Sequence, residues 1–129
     1  MKKVLLLLPL LAIVIVVSGC IGQYGQPTTQ TQVQPTGELK EFTVEGSEYK
    51  FSPASITVSQ GDKVKITFKN VGSIGHNFVI GDLGVSTRVI PAGSTETVKL
   101  IADRSGTFAF YCSVPGHRPV GMEGQISIS

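Results

Sequence analysis

Residues 63–69 read Lys-Val-Lys-Ile-Thr-Phe-Lys, which puts Val64, Ile66 and Phe68 on one face and polar side chains on the other. A period of two marks a strand with one buried face and predicts a half-buried antiparallel strand here. Short runs of β-branched, aromatic and other apolar residues recur at 41–44, 55–58, 77–80, 95–101, 107–111 and 125–128. Turn signals divide them: Gln60-Gly61-Asp62, Asn70-Val71-Gly72, Pro91-Ala92-Gly93 and Asp103-Arg104-Ser105-Gly106. No stretch has a convincing helical period. The pattern predicts an all-β, Greek-key β-sandwich of seven to eight strands over residues 38–129, with no repeat and no second domain.

The first third of the chain follows different rules. Lys2 and Lys3 precede an apolar run from Val4 to Val17, broken only by Pro9, and Val17-Ser18-Gly19-Cys20 follows. A basic start, a short apolar stretch and small residues form the layout of a secretory signal, and the run is short for a membrane span. Val-Ser-Gly-Cys resembles the lipobox of prokaryotic lipoproteins, which implies lipidation of Cys20. An uncleaved N-terminal anchor is the alternative, and both deliver the domain to the outer face of the cell membrane. A Cys20–Cys112 disulfide is a third reading, a poor one because it would join the leader to the centre of the site described below. Residues 21–37, rich in Gln, Thr, Pro and Gly and free of charge, cannot offset their own ordering entropy and predict a flexible tether. A coil of that length reaches roughly 20–25 Å.

Setting the leader aside changes the charge balance. All nine acidic residues and nine of the eleven basic ones lie in 38–129, so the domain is formally neutral and the overall +2 belongs to Lys2 and Lys3. Without a clustered basic face, nucleic acid is excluded as a partner. The domain is expected to be monomeric.

Both histidines, and the one methionine besides Met1, share a pattern with Cys112: His76, then Cys112, His117 and Met122 in Cys-x4-His-x4-Met. Two imidazoles, a thiolate and a thioether form a soft donor set that suits copper in both oxidation states. Zinc also takes Cys and His, but thioether is a poor zinc ligand. Each residue has a plain structural reading: His76 as a hydrogen-bonded core or rim residue, Cys112 as a small buried hydrophobe, Met122 as a core plug. Their joint order and spacing favour a metal site. Cys112 ends a predicted strand, His117 and Met122 lie in a loop rich in Pro115, Gly116, Pro119 and Gly121, and His76 follows the turn 72–75. In a sandwich, such strand ends can meet at one pole.

Gly75-His76-Asn77-Phe78 and the segment Phe110 to Gly124 resemble the cupredoxins, the small blue copper proteins, and the resemblance spans residues 38–129. The loop spacing is most similar to rusticyanin and azurin; the two-residue Cys–His gap typical of plastocyanin is absent. The resemblance implies one type 1 copper ion, with His76, Cys112 and His117 in a near-trigonal plane and Met122 as a weak axial contact. It implies that Asn77 ties the His76 strand to the cysteine loop. It also implies that the Gly75 carbonyl approaches copper opposite the methionine, although glycine there could simply suit the turn.

By the same resemblance the function is single-electron transfer between redox protein partners, through the exposed edge of His117. Ile74, Pro115, Pro119 and Val120 would form the apolar docking patch. Arg118 beside them either steers an acidic partner or is a solvated loop charge. A copper oxidase or nitrite reductase needs a second centre built from histidine, and both histidines are already used, so the chain reads as a non-enzyme. An extracytoplasmic copper carrier or store is the remaining alternative. Such proteins generally use clusters of exchangeable soft ligands, whereas the domain has a single methionine.

Overall fold

The computed structural model describes residues 37–129; the leader, Cys20 and all of the linker except Gly37 lie outside them. Among the described residues, nine strands follow in order: β1 Leu39–Ser47, β2 Lys50–Ser52, β3 Ser55–Val58, β4 Lys63–Asn70, β5 Val79–Ile80, β6 Val85–Ser86, β7 Thr95–Ile101, β8 Gly106–Tyr111 and β9 Glu123–Ile128. Single 3-10 turns cover Gly81–Leu83 and Arg118–Val120. The strands form two sheets, ordered β2-β1-β4-β7 and β3-β9-β8-β5-β6.

The alternation in β4 places Val64, Ile66 and Phe68 in the core with at most 1% exposure. Its pairing differs from expectation. β4 runs antiparallel to β7 but parallel to β1, from Leu39↔Lys63 to Gly46↔Asn70. The chain passes through β3 in the other sheet before returning beside β1, and a period of two carries no record of that detour. β3 and β9 are likewise parallel, so both sheets are mixed. The strand count exceeds seven to eight because β2 and β6, at three and two residues, are too short to show a period. The run expected at 77–80 pairs as a strand only at Val79–Ile80, and His76 forms an isolated bridge with Ile90 instead.

Side chains from both sheets share one core, centred on Phe51, Phe68, Phe78 and Phe110. Phe51 meets the other three edge-on at centroid distances of 5.4–6.0 Å. Phe78 and Phe110 lie 4.9 Å apart. Each such pair contributes about 0.5–1.5 kcal/mol beyond area burial. Cys112, Met122 and His76 are all fully buried at one end of this core.

Candidate metal centre

β8 delivers Cys112, and the segment after it folds back on itself. The His117 N–H donates to the Val114 carbonyl at 3.1 Å, and the Met122 N–H to that of His117 at 3.1 Å. The Cys112 N–H donates to the Met122 carbonyl at 3.1 Å, closing the loop at its base. Gly116 and Gly121 reverse the backbone with φ of 85° and 109°, which a side chain would oppose. Pro119 pre-sets the short turn between His117 and Gly121.

His76 arrives from the opposite side, held by paired hydrogen bonds to the Ile90 backbone at 3.2 and 2.9 Å. Asn70, at the end of β4, stabilises this approach. Its buried amide donates to the carbonyls of Ile74 at 2.7 Å and Ile90 at 2.8 Å, and its side-chain oxygen accepts from the Gly72 N–H at 3.0 Å. Asn77 clamps the two halves of the site together. Its Nδ2 donates to Ser113 Oγ and its Oδ1 accepts from the Ser113 N–H, both at 2.8 Å.

The result is a compact donor cluster. His76 Nδ1 and His117 Nδ1 stand 3.1 Å apart, and Cys112 Sγ lies 3.4 Å from His117 Nδ1 and 4.0 Å from His76 Nδ1. One ion held by bonds of about 2.0–2.3 Å separates its donors by roughly 3.3–3.8 Å at tetrahedral to trigonal angles, a range these distances straddle. The donor set therefore fits a single soft metal ion. The Cys112 thiol is free and buried. Burial, and then the adjacent His76, hold the His117 imidazole below its ordinary pKa, favouring the neutral, metal-binding form.

Two neighbours complete the site, Glu48 and Tyr49 in the turn between β1 and β2. Glu48 Oε1 lies 3.3 Å from His76 Nε2 and accepts from the N–H groups of Ser73 at 2.7 Å and Ile74 at 3.1 Å. Backbone donors, Ser73 foremost, with a smaller contribution from His76, lower its pKa to about 2. The Tyr49 ring packs edge-on to His117 at 4.9 Å. Neither residue had a signal in the sequence, since the turn lies between a strand and one too short to recognise.

The other expected residues are placed as follows. Ile74 and Val120 are exposed, at 42% and 62%, as are Pro115 and Pro119. Tyr49, Val71 and Val89 are further exposed apolar side chains on the same loops or their neighbours. Arg118 is paired: it donates to Glu123 at 2.9 Å, and its guanidinium lies 4.1 Å from the Tyr111 ring centroid. Gly75 is outside the left-handed region, so the turn does not demand glycine, but a Cβ there would lie 3.0 Å from Val89 Cγ1.

A paired-sheet sandwich with a buried His-Cys-His cluster at one end is the arrangement of the cupredoxins, and the chain belongs to that family. The family described as Cupredoxin-like domain matches residues 11–124. The copper-resistant cuproprotein CopI of Rubrivivax gelatinosus is 28% identical over 124 residues, covering 81% of this chain and 73% of CopI. Plastocyanin A/B of Petroselinum crispum is 35% identical over 88 residues, covering 61% of this chain and 87% of the plastocyanin. Among solved structures, reduced auracyanin of Roseiflexus castenholzii superposes with a TM-score of 0.62 at 22% identity, over 69% of this chain and 96% of auracyanin. The same fold recurs within a copper-containing nitrite reductase of Thermus scotoductus, with a TM-score of 0.59 at 24% identity, over 72% of this chain and 28% of the reductase.

Proposed function

We propose that His76, Cys112 and His117 would hold one copper ion, with the buried Met122 as a weaker fourth ligand, and that the chain carries single electrons between redox proteins outside the cytoplasmic membrane. The observation that carries this reading is the preassembly of two imidazole nitrogens and a thiol sulfur, all within 4.8 Å of one another and all buried. When bound, copper supplies a one-electron couple tuned by thiolate and thioether. The chain's own contribution is rigidity. Asn77, Ser113 and the closed Cys112–Met122 loop hold the donors in one arrangement, so that little needs to move when the charge changes.

His117 is buried, with 7% exposure, so the exposed edge expected of it is narrow. It is the port in this reading because its Nε2 has no hydrogen-bond partner among the described residues and the exposed Ile74, Pro115, Pro119 and Val120 provide an apolar surface for brief docking. The leader and residues 21–37 would tether the domain to the membrane, through lipid on Cys20 or through the apolar run. An enzymatic role has less support, since a second histidine-built centre cannot be assembled from a sequence with two histidines.

The test is the visible spectrum of the protein loaded with Cu(II), beside Cys112→Ser. An intense thiolate-to-copper band that vanishes in the variant is expected. The name of the CopI relative favours a second reading, copper handling without redox exchange, and a colourless protein that retains Cu(I) would establish it in place of the first.

A further inference from the structure

The two histidines are held in different ways. His76 is fully buried and its outward nitrogen, Nε2, meets a carboxylate; Nε2 of His117 meets no partner among the described residues. The carboxylate is seated in a built recess. Glu48 Oε1 accepts from two backbone N–H groups, from Ser73 Oγ at 3.3 Å and from His76. Gly72 leaves the space, since a Cβ on it would lie 2.6 Å from Oε1 and 2.8 Å from Oε2. Gly72 is not in the left-handed region, so its bare Cα serves the carboxylate rather than the turn.

We infer that Glu48 is the positioning residue of this centre, fixing the tautomer of His76 and lowering the reduction potential of the bound metal. This rests on the copper reading above. A neutral imidazole carries one N–H, and an acceptor at Nε2 holds the hydrogen there, leaving the Nδ1 lone pair directed at Cys112 and His117. A carboxylate behind a metal-bound histidine also makes the imidazole a stronger donor. Its negative charge favours the more highly charged oxidation state, so Cu(II) gains more than Cu(I). Tyr49, the next residue, packs on His117, so one two-residue turn supports both imidazoles.

Glu48→Gln isolates the charge, because the amide oxygen still accepts from Ser73 and Ile74. Redox titration of the copper-loaded full chain should show Cu(II) affinity falling about tenfold relative to Cu(I). For a one-electron couple, that raises the potential by about 59 mV. In the metal-free protein, the ring N–H of His76 should sit on Nε2 and resist exchange by NMR, and Glu48→Ala should remove that protection. A blue wild-type protein whose potential is unmoved by Glu48→Gln, or whose metal-free His76 carries its hydrogen on Nδ1, would overturn the role of Glu48 and leave the copper reading intact. A wild-type protein without the intense band would overturn both.

Discussion

Asn77 is buried and spends its side chain on a single neighbour, Ser113, which follows Cys112 directly. Asn77→Ala removes both hydrogen bonds, each worth about 0.5–1.5 kcal/mol, a combined loss of about 1–3 kcal/mol. Denaturant unfolding should report that loss. The donors themselves remain, so the visible band should persist while the reduction potential moves, because the cysteine loop is no longer tied to the His76 segment. A variant with unchanged stability and potential would show that the clamp is idle. Asn70 acts at the same scale on the other side, joining the end of β4 to the Ile74 and Ile90 carbonyls and so to the backbone that presents His76.

At the scale of elements, β8 and β9 matter most, because one delivers Cys112 and the other begins just after Met122. Phe110 on β8 lies directly across from Gly124 on β9. The register depends on that pairing of large with absent: a Cβ on Gly124 would run into the Phe110 ring and the Ala54 carbonyl. Gly124→Ala should therefore destabilise the fold by about 1–3 kcal/mol through overpacking. Thermal unfolding checks the loss, and a neutral result would mean that the ring has room to shift. β1, β4 and β7 form the other wall, and β4 carries the site indirectly through Asn70 at its end.

For the whole molecule, surface and charge govern encounters. The domain carries nine acidic and nine basic residues, and Arg118, the cation nearest the His117 loop, is already paired with Glu123. Electron self-exchange between oxidised and reduced copies, measured by NMR line broadening, should depend only weakly on salt. Val120, 62% exposed beside His117, is the natural probe. Val120→Glu places like charges face to face in the encounter and should slow self-exchange by about tenfold, equivalent to about 1.4 kcal/mol. An unaffected rate would overturn the proposal that electrons pass through the His117 loop.

Much of this molecule is legible along the chain. The alternation in β4, the bounds of β3 and β7 and the turn at Gln60-Gly61-Asp62 are local, since backbone pleat and turn sterics act over a few residues. The histidine, cysteine and methionine spacing is equally local in the Cys112–Met122 loop, and the scarcity of histidine singles out His76. Tertiary structure alone decided the rest. The parallel pairing of β1 with β4 depends on a detour through the other sheet. β2 and β6 are strands only because neighbours pair with them. Glu48 and Gly72 belong to the site because two loops remote in sequence meet, and no periodicity encodes such a meeting. The sequence by itself determined which donors exist and how they are spaced; the convergence of His76, Cys112 and His117 on one point, and the carboxylate behind one of them, came from packing two sheets around a shared aromatic core.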